Sequence, residues 1–554
     1  MLRLIFVLLC FGNNSYAADP DPVMGKNGMV AADSHLASLA GVEILKAGGN
    51  AFDSAVATAL ALGVVHPHSS GIGGGAFALY FHAKSGEVRA LDFREVAPEK
   101  IRMDHYRPGG KLDKSLSRRG GLAVAVPGEL KGLRYLHQRF GVLPWSRILQ
   151  PAIQLAMKGF SVSHYLSKVL RKHRTSFETS KYLKETFYPG GKFLKPGENL
   201  SQPKLGRTLK LVASKGTKAF YQGSIAKALI RTVQNSGGVL SFEDLERIQP
   251  RLLKPLKGNY RGMEIYTMPS PSSGGLVLLQ MLGVLEHFPL SRWGHNSSQT
   301  LHAITETMKH AYANRARYMG DDRFVKIPVR ELLDKGLFED LARGISSEQT
   351  KKRNDYGVHF LGDDSGTTHF SVMDREGNTV AMTSTINTFF GSLLVVEEYG
   401  IVLNNQMDDF SLAPGVANAY GLIGSEANAI VPGKKPLSSM TPTLVLQGGH
   451  PFLALGGSGG PRIISGVLQV LLNVIDHEMQ LQAAVNAPRI HHQWVPEKLY
   501  VEPEIPRDVR KSLERKGHQV EDLKARNVIQ AVRTEKGWFH GASDPRKKGI
   551  SAGY

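Results

Sequence analysis

Apolar and polar positions change their period along the chain. From Ala32 to Val65 the spacing predicts two helices around the turn Ala47-Gly48-Gly49-Asn50. The second, Ala51–Val65, is rich in Ala, Leu and Val, as suits a buried helix. The cluster Gly71–Gly75 follows, then two runs that read as strands, Phe77–His82 and Val88–Phe93. From there to about residue 360 most of the chain reads as helical, with amphipathic stretches at Trp145–Lys158, Ile225–Ser236 and Ser298–Tyr318 and a basic polar connector at Arg174–Gln202. At Thr368 the character changes. Thr368–Asp374 and Thr379–Thr385 predict two short strands joined through Arg375-Glu376-Gly377-Asn378. Further strands are expected at Gly400–Leu403, Thr443–Leu446 and Phe452–Leu455, and a helix at Pro461–Ile475. The layout is a mostly helical first part and a strand-led second part, with a seam just before Thr367.

Composition adds three constraints. The 554 residues are 42% apolar and 21% charged, a globular balance that allows several domains or one large layered core. Arg3, the apolar run Leu4–Phe11 and the small residues around Tyr16 form an export signal, with cleavage expected after Ala17 or Ala18. That run is too short for a permanent membrane anchor, which takes about 20 residues, and no later segment reaches that length. The expected location is periplasmic or secreted. Cys10 is the only cysteine and lies inside the signal, so disulfides, a thiol nucleophile and Cys-ligated metals are excluded from the mature chain. The net charge of +19 is dispersed, as in Arg118-Arg119, Arg171–Arg174 and Arg546-Lys547-Lys548. It reads as a solvated basic surface, and no nucleic-acid partner is expected.

Several stretches offer chemistry. Gly366 leads to a hydroxyl residue, Thr367, at a strand start. A threonine hydroxyl needs a neighbouring base to act as a nucleophile, and a free α-amino group on the same residue can serve, provided the chain is cut before it. An ordinary strand-initiating threonine is the alternative. With Asp374 facing Thr379, Thr367 falls opposite residue 386, bracketed by Thr385 and Asn387. Gly456-Gly457-Ser458-Gly459-Gly460-Pro461 is either a tight turn or a helix N-terminus whose N–H groups hold an oxyanion. Asp92-Phe93-Arg94-Glu95 places an arginine at a strand end, for a surface ion pair or a bidentate carboxylate clamp. The cluster Asn404-Asn405-Gln406-Met407-Asp408-Asp409 suits ammonium recognition at least as well as a metal. The string His68–Ala76 lacks the strand–turn–helix order of a dinucleotide site, and close backbone packing is expected there. His66/His68 and His491/His492 are expected to be structural.

Together these residues resemble the γ-glutamyltransferases, also called γ-glutamyltranspeptidases or glutathione hydrolases, of bacterial type. The resemblance runs over nearly the whole mature chain. It includes Gly48–Asp53, Ser70–Ala76, Leu91–Pro98, Pro271–Gly275, Ala311–Gly320, Thr367–Asp374, Leu403–Ser411, Pro436–Pro442, Gly456–Pro461 and Asp544–Tyr554. It implies an α/β fold, the four-layer αββα sandwich of N-terminal-nucleophile hydrolases. It also implies self-cleavage between Gly366 and Thr367. The products would be a large subunit, residues 18–366, and a small subunit, residues 367–554, sharing one core as a heterodimer. By the same resemblance Thr367 is the nucleophile and Thr385 its hydrogen-bond partner. Arg94, Ser438 and Ser439 hold the α-carboxylate, and Asn387, Gln406 and Asp409 the α-ammonium, of a γ-glutamyl group. Gly459 and Gly460 form the oxyanion hole. Pro414–Lys435 is a lid with Tyr420 as its gate. The expected substrates are glutathione and other γ-glutamyl compounds, with water, amino acids or peptides as acceptors, and neither metal nor organic cofactor is called for.

Overall fold

The computed structural model describes residues 20–352, 366–413, 416–422, 424–523 and 527–554. The expected export signal, the polar stretch before Gly366 and part of the expected lid lie outside the described residues.

Two seven-stranded antiparallel sheets lie face to face. The first runs, edge to edge, Ala552–Gly553, Gly28–Ala32, Thr367–Asp374, Thr379–Thr385, Gly75–His82, Glu87–Phe93 and Arg251–Leu253. The second runs Val23–Gly25, Trp538–Ser543, Val528–Glu535, His450–Ser458, Thr443–Gln447, Met263–Thr267 and Leu256–Tyr260. Alternation along each strand sorts the core into layers. In Gly75–His82, Ala76, Ala78 and Tyr80 pack with the helices around Ala51–Val65, whereas Phe77, Leu79 and Phe81 pack with the second sheet and its helices. Gly274–Leu285, Ser298–Tyr318 and Arg462–Ile475 cover the far face of the second sheet. The result is the αββα sandwich. Buried on both faces, Gly75–His82 reads as a nearly unbroken apolar run, whereas the equally buried Thr367–Asp374 and Thr379–Thr385 carry Thr, Ser and His among their apolar residues.

Local chemistry accounts for the main elements. Asn50 caps Ala51–Val65 by accepting from Phe52 N and Asp53 N, and Asp53 returns a bond to Asn50 N. Asp374 ties that helix to the Thr367 hairpin: its Oδ2 accepts from Ala51 N at 2.8 Å. A carboxylate at a helix N-terminus is favourable there. The two helices of Ala32–Val65, Trp145–Lys158 and Ser298–Tyr318 stand where the pattern predicts them.

Three expectations need correction. The supposedly helical stretch up to residue 360 contains Arg251–Leu253, Leu256–Tyr260 and Met263–Thr267, which complete one edge of each sheet. These strands are short and half polar, so their period is weak. In the hairpin, Asp374 N bonds Asn378 O and Gly377 takes φ 88°, so the loop has three residues rather than four. The register therefore moves by one, and Thr367 faces Thr385 directly rather than residue 386. Finally, Arg546 and Lys547 are not solvated: Arg546 pairs with Glu502 and Asp544, and Lys547 with Asp33.

Candidate active site

Thr367 begins an inner strand of the first sheet and is only 4% exposed. Its Oγ1 lies 3.2 Å from Thr385 Oγ1. Thr385 Oγ1 donates to the Gly366 carbonyl at 2.9 Å and accepts from Asn387 N at 2.8 Å. A hydroxyl has a single proton, and that of Thr385 is committed to Gly366, so Thr367 is the donor in the Thr367–Thr385 bond. Thr385 thus polarises the carbonyl immediately before Thr367 and orients the Thr367 hydroxyl. Close backbone contact fixes this strand end: a Cβ on Gly74 would sit 2.1 Å from the Thr385 carbonyl oxygen.

A cavity opens over Thr367. Arg94, Thr367, Thr385, Asn387, Gln406, Asp409, Tyr420, Ser438, Ser439 and Gly460 all line it. These residues come from distant parts of the chain. Arg94, at the end of Glu87–Phe93, is 1% exposed; its Nε donates to Pro436 O at 2.8 Å and its Nη2 to Asp409 Oδ2 at 2.5 Å. Gln406 Nε2 donates to the same Asp409 oxygen at 2.7 Å, and Asn418 Nδ2 reaches Asp409 Oδ1 at 3.3 Å. Burial raises the Asp409 pKa above its ordinary value, and the adjacent Arg94 charge opposes that rise. Gln406 Oε1 is buried and has no hydrogen-bond partner among the described residues. Gln406 lines the same cavity as Asp409, and an unpartnered amide oxygen on a residue bonded to that carboxylate is chemistry that suits an ammonium group. Asp408 turns away: it accepts from Ser117 Oγ, Arg118 Nε and Ala419 N, and so anchors the loop that carries Tyr420.

Tyr420 roofs the cavity. Its hydroxyl donates to the Asn387 carbonyl at 2.7 Å, and its ring lies where a Cβ on Gly460 would fall, 2.6 Å from Cδ1. Gly460 takes φ 58° and, with Gly459, links the Ser458 strand end to the Arg462–Ile475 helix. The Gly459 and Gly460 carbonyls accept from Arg462 N and Ile463 N, which turns them into the first helical turn. Ser438 and Ser439 sit opposite. The Ser438 carbonyl accepts from Ser273 N and Oγ.

Sequence reasoning missed residues behind this cavity. Arg315, on Ser298–Tyr318, is 4% exposed and donates to Ser273 Oγ at 2.9 Å and Ser439 Oγ at 3.5 Å. Lys547, Asp33 and Ser458 form a buried network beneath Thr367. A lysine inside an Arg-Lys-Lys run carries no sequence signal of burial. Glu95 and Glu129 lie behind the strand end; burial lifts Glu95 to about 7 and Glu129 to about 8. The histidine pairs are buried: His66 and His68 pack with Tyr165, and His491 bonds Ser465 and Gln493.

Among the described residues, His302, Glu306 and His518 are the one group close enough to share a metal ion. Glu306 already holds the Lys309 ammonium, Thr350 Oγ1 and Lys351 N, and His302 faces His518 at 2.7 Å. This knot fastens residues 346–351 to the Ser298–Tyr318 helix, away from Thr367.

The fold and the threonine at its strand head define a protein of the N-terminal-nucleophile hydrolase type. The family model described as gamma-glutamyltranspeptidase matches residues 37–554. The chain is 41% identical to the glutathione hydrolase proenzyme of Escherichia coli (strain K12), covering 98% of this chain and 94% of that protein. It is 38% identical to the one from Bacillus subtilis (strain 168), over 96% and 92%. Among solved structures it resembles a cephalosporin acylase from Bacillus halodurans, with TM-score 0.86, 29% identity and 99% of both chains covered. It also resembles the gamma-glutamyltranspeptidase of Helicobacter pylori, with TM-score 0.55, 37% identity, and 59% of this chain and 96% of that one covered. The chain therefore belongs to the γ-glutamyltranspeptidase family.

Proposed function

We propose that the chain is a precursor that cuts itself between Gly366 and Thr367 and then hydrolyses or transfers the γ-glutamyl group of glutathione and related amides. One observation carries this reading. A nucleophile, a buried guanidinium and a buried acid with an unpartnered amide oxygen converge on one cavity.

In the precursor, Thr367 Oγ1 attacks the Gly366 carbonyl that Thr385 polarises. The peptide C–N bond breaks as the Oγ1 proton passes to the departing Thr367 nitrogen, leaving an ester on Oγ1 and a free Thr367 amine. Water hydrolyses the ester, which frees Gly366 as a carboxylate. In turnover the amine accepts the hydroxyl proton and Oγ1 bonds to the γ-carbonyl carbon. The Gly459 and Gly460 N–H groups stabilise the resulting oxyanion, by about 3–4 kcal/mol per donor in such sites. The C–N bond then breaks, the proton passes to the leaving amine, and water or an acceptor amine takes the γ-glutamyl group from Thr367. Two half-reactions give ping-pong kinetics. Arg94, Ser438 and Ser439 hold the α-carboxylate; Asn387, Gln406 and Asp409 hold the α-ammonium. No step calls for a cofactor.

The resemblance to a cephalosporin acylase supports a second reading, an amidase for glutaryl-type acyl groups that lack the ammonium. Asp409 and the Gln406 oxygen favour the first reading, because a glutaryl group would leave both unmatched. The N-terminal pattern supports export to the periplasm or beyond, and no described helix is long and apolar enough to cross a membrane. Intact mass and N-terminal sequencing of the purified protein, with γ-glutamyl and glutaryl anilides assayed side by side, test the proposal. A new N-terminus at Thr367 and a preference for the γ-glutamyl anilide are expected. An uncut active chain, or a Thr367→Ala variant that is still cut and active, would overturn it.

A further inference from the structure

Lys547 is buried directly beneath the nucleophile, at 8% exposure. Its ammonium donates to three acceptors: the Thr367 carbonyl at 2.7 Å, Ser458 Oγ at 2.7 Å and Asp33 Oδ2 at 2.8 Å. An ammonium has three protons, so its donor capacity is fully used. The three acceptors lie far apart in the chain. Thr367 heads its strand; Ser458 immediately precedes the glycines assigned to the oxyanion hole; Asp33 follows Gly28–Ala32 and lies before the cut. Gln530 Nε2 holds the other Asp33 oxygen at 2.7 Å.

We propose that Lys547 is a positioning residue for acyl transfer: it fixes the Thr367 backbone against the oxyanion strand and keeps a positive charge beside the residue whose amine acts as base. The inference rests on the reading of Thr367 as an N-terminal nucleophile. It assigns work to a residue that does not line the cavity and touches no substrate.

Two consequences follow from the geometry. First, one ammonium grips both Thr367 and Ser458, so it sets the separation between the nucleophile and the donors to the oxyanion. Reacting groups held by a common clamp lose rate steeply when the clamp is removed. Second, a cation beside the Thr367 peptide disfavours protonation of the amine on the same residue. The other charged or titratable groups around this point are Asp33 and, next to it, Asp544 with its partners Arg489 and Arg546, the Arg94–Asp409 pair across the cavity, and Glu95 and Glu129 behind the strand end, lifted by burial to about 7 and about 8 and present alike in wild type and variant. The nearby His66 and His68 are kept neutral by burial, and the Lys547 charge acts in the same direction on both. Lys547 is the cation in direct contact with the Thr367 peptide. Its loss removes a positive charge and leaves Asp33 without its cation. Both changes raise the proton affinity of the amine.

The test is Lys547→Met, which keeps the stem and removes the charge and all three donors. Cleavage is followed by intact mass, and the cut enzyme is assayed with a γ-glutamyl anilide from pH 5 to 9 (roughly spanning the α-amino range). The expected result is a kcat lower by roughly 10- to 100-fold with KM nearly unchanged. The acid limb of kcat/KM should move up by about one unit. Slower self-cleavage of a folded Lys547→Met precursor is also expected. Wild-type kcat with an unmoved acid limb overturns the proposal. So does a loss confined to KM, which would make Lys547 a substrate contact, or a fall in melting temperature alone.

If Lys547→Met does not fold, Ser458→Ala carries the test, because it keeps the charge and removes one acceptor. A lower kcat at constant KM, with the acid limb unmoved, is then expected, and wild-type kcat overturns the positioning role. The wild-type control separates the two readings. An uncut or inactive wild-type chain refutes the nucleophile assignment, whereas a cut, active wild type beside an unaffected variant refutes only the role of Lys547.

Discussion

Arg94 and Asp409 hold each other at 2.5 Å inside the cavity, with side chains 1% and 11% exposed. A γ-glutamyl α-carbon carries one charge to match each of them. In the proposed binding mode the carboxylate meets the guanidinium and the ammonium meets Asp409, which would keep both charges paired when substrate enters. Asp409→Asn removes one charge while keeping the shape. A hydrogen bond to a charged group contributes about 1.5–3 kcal/mol, which is roughly 10- to 150-fold in kcat/KM for a γ-glutamyl anilide. A glutaryl anilide has no ammonium to lose, so its kcat/KM should change far less. Equal losses on both substrates would remove Asp409 from ammonium recognition.

Thr385 is expected to matter more before the cut than after it. Its bond to the Gly366 carbonyl would be confined to the precursor under the proposed cut, whereas its bond to Thr367 does not depend on the uncut peptide. Thr385→Val deletes both. A neutral hydrogen bond is worth about 1 kcal/mol, so turnover should fall about fivefold to tenfold and self-cleavage by more. Thr385→Ser should restore both. Densitometry of cut and uncut chains over time, beside steady-state kinetics, reads the two effects separately. Cleavage of Thr385→Val at the wild-type rate would contradict the polarising role.

These two residues also show what was legible in the sequence. Thr367, Thr385 and Asn387 are close because a hairpin brings them together, and hairpin logic is local. Its one-residue error came from Asn378, which pairs with Asp374 instead of extending the loop. Arg94 and Asp409 are 315 positions apart, and no periodicity joins them; only the family resemblance assigned them to one group. Lys547 stayed hidden because burial of a lysine depends on a partner such as Asp33, whose contact is created by tertiary structure. The Leu256–Thr267 hairpin was missed for a similar reason. It is an edge element whose outer face stays polar, so its apolar pattern is thin.

Tyr420 contacts the site in two ways that substitutions can separate. The ring rests on Gly460 and the hydroxyl bonds the Asn387 carbonyl. Tyr420→Phe keeps the ring, and a loss of up to about tenfold in kcat/KM is expected from the missing bond. Tyr420→Ala also uncovers Gly460 and admits water, so a larger loss is expected. Stopped-flow measurement of acylation and of product release would place each loss. If the two variants behave alike, the ring contributes nothing beyond its hydroxyl.

Glu129 gives a test of stability rather than rate. Burial raises its pKa from 4.5 to about 8, and Ser384 Oγ donates to it at 3.1 Å. The folded state therefore keeps the proton over a range where the unfolded chain releases it. The sign follows from linkage: the unfolded state binds fewer protons between pH 4.5 and 8, so this group makes folding less favourable as pH rises through that window. Below the window both states are protonated and the effect vanishes. Glu129→Gln keeps an acceptor for Ser384 and cannot ionise. The variant should match wild type near pH 4.5 and gain stability steadily up to pH 8, by about 1 kcal/mol or more, then level off. Urea midpoints at several pH values give the curve. A difference between the two proteins that stays flat with pH would mean that Glu129 is already ionised in the fold.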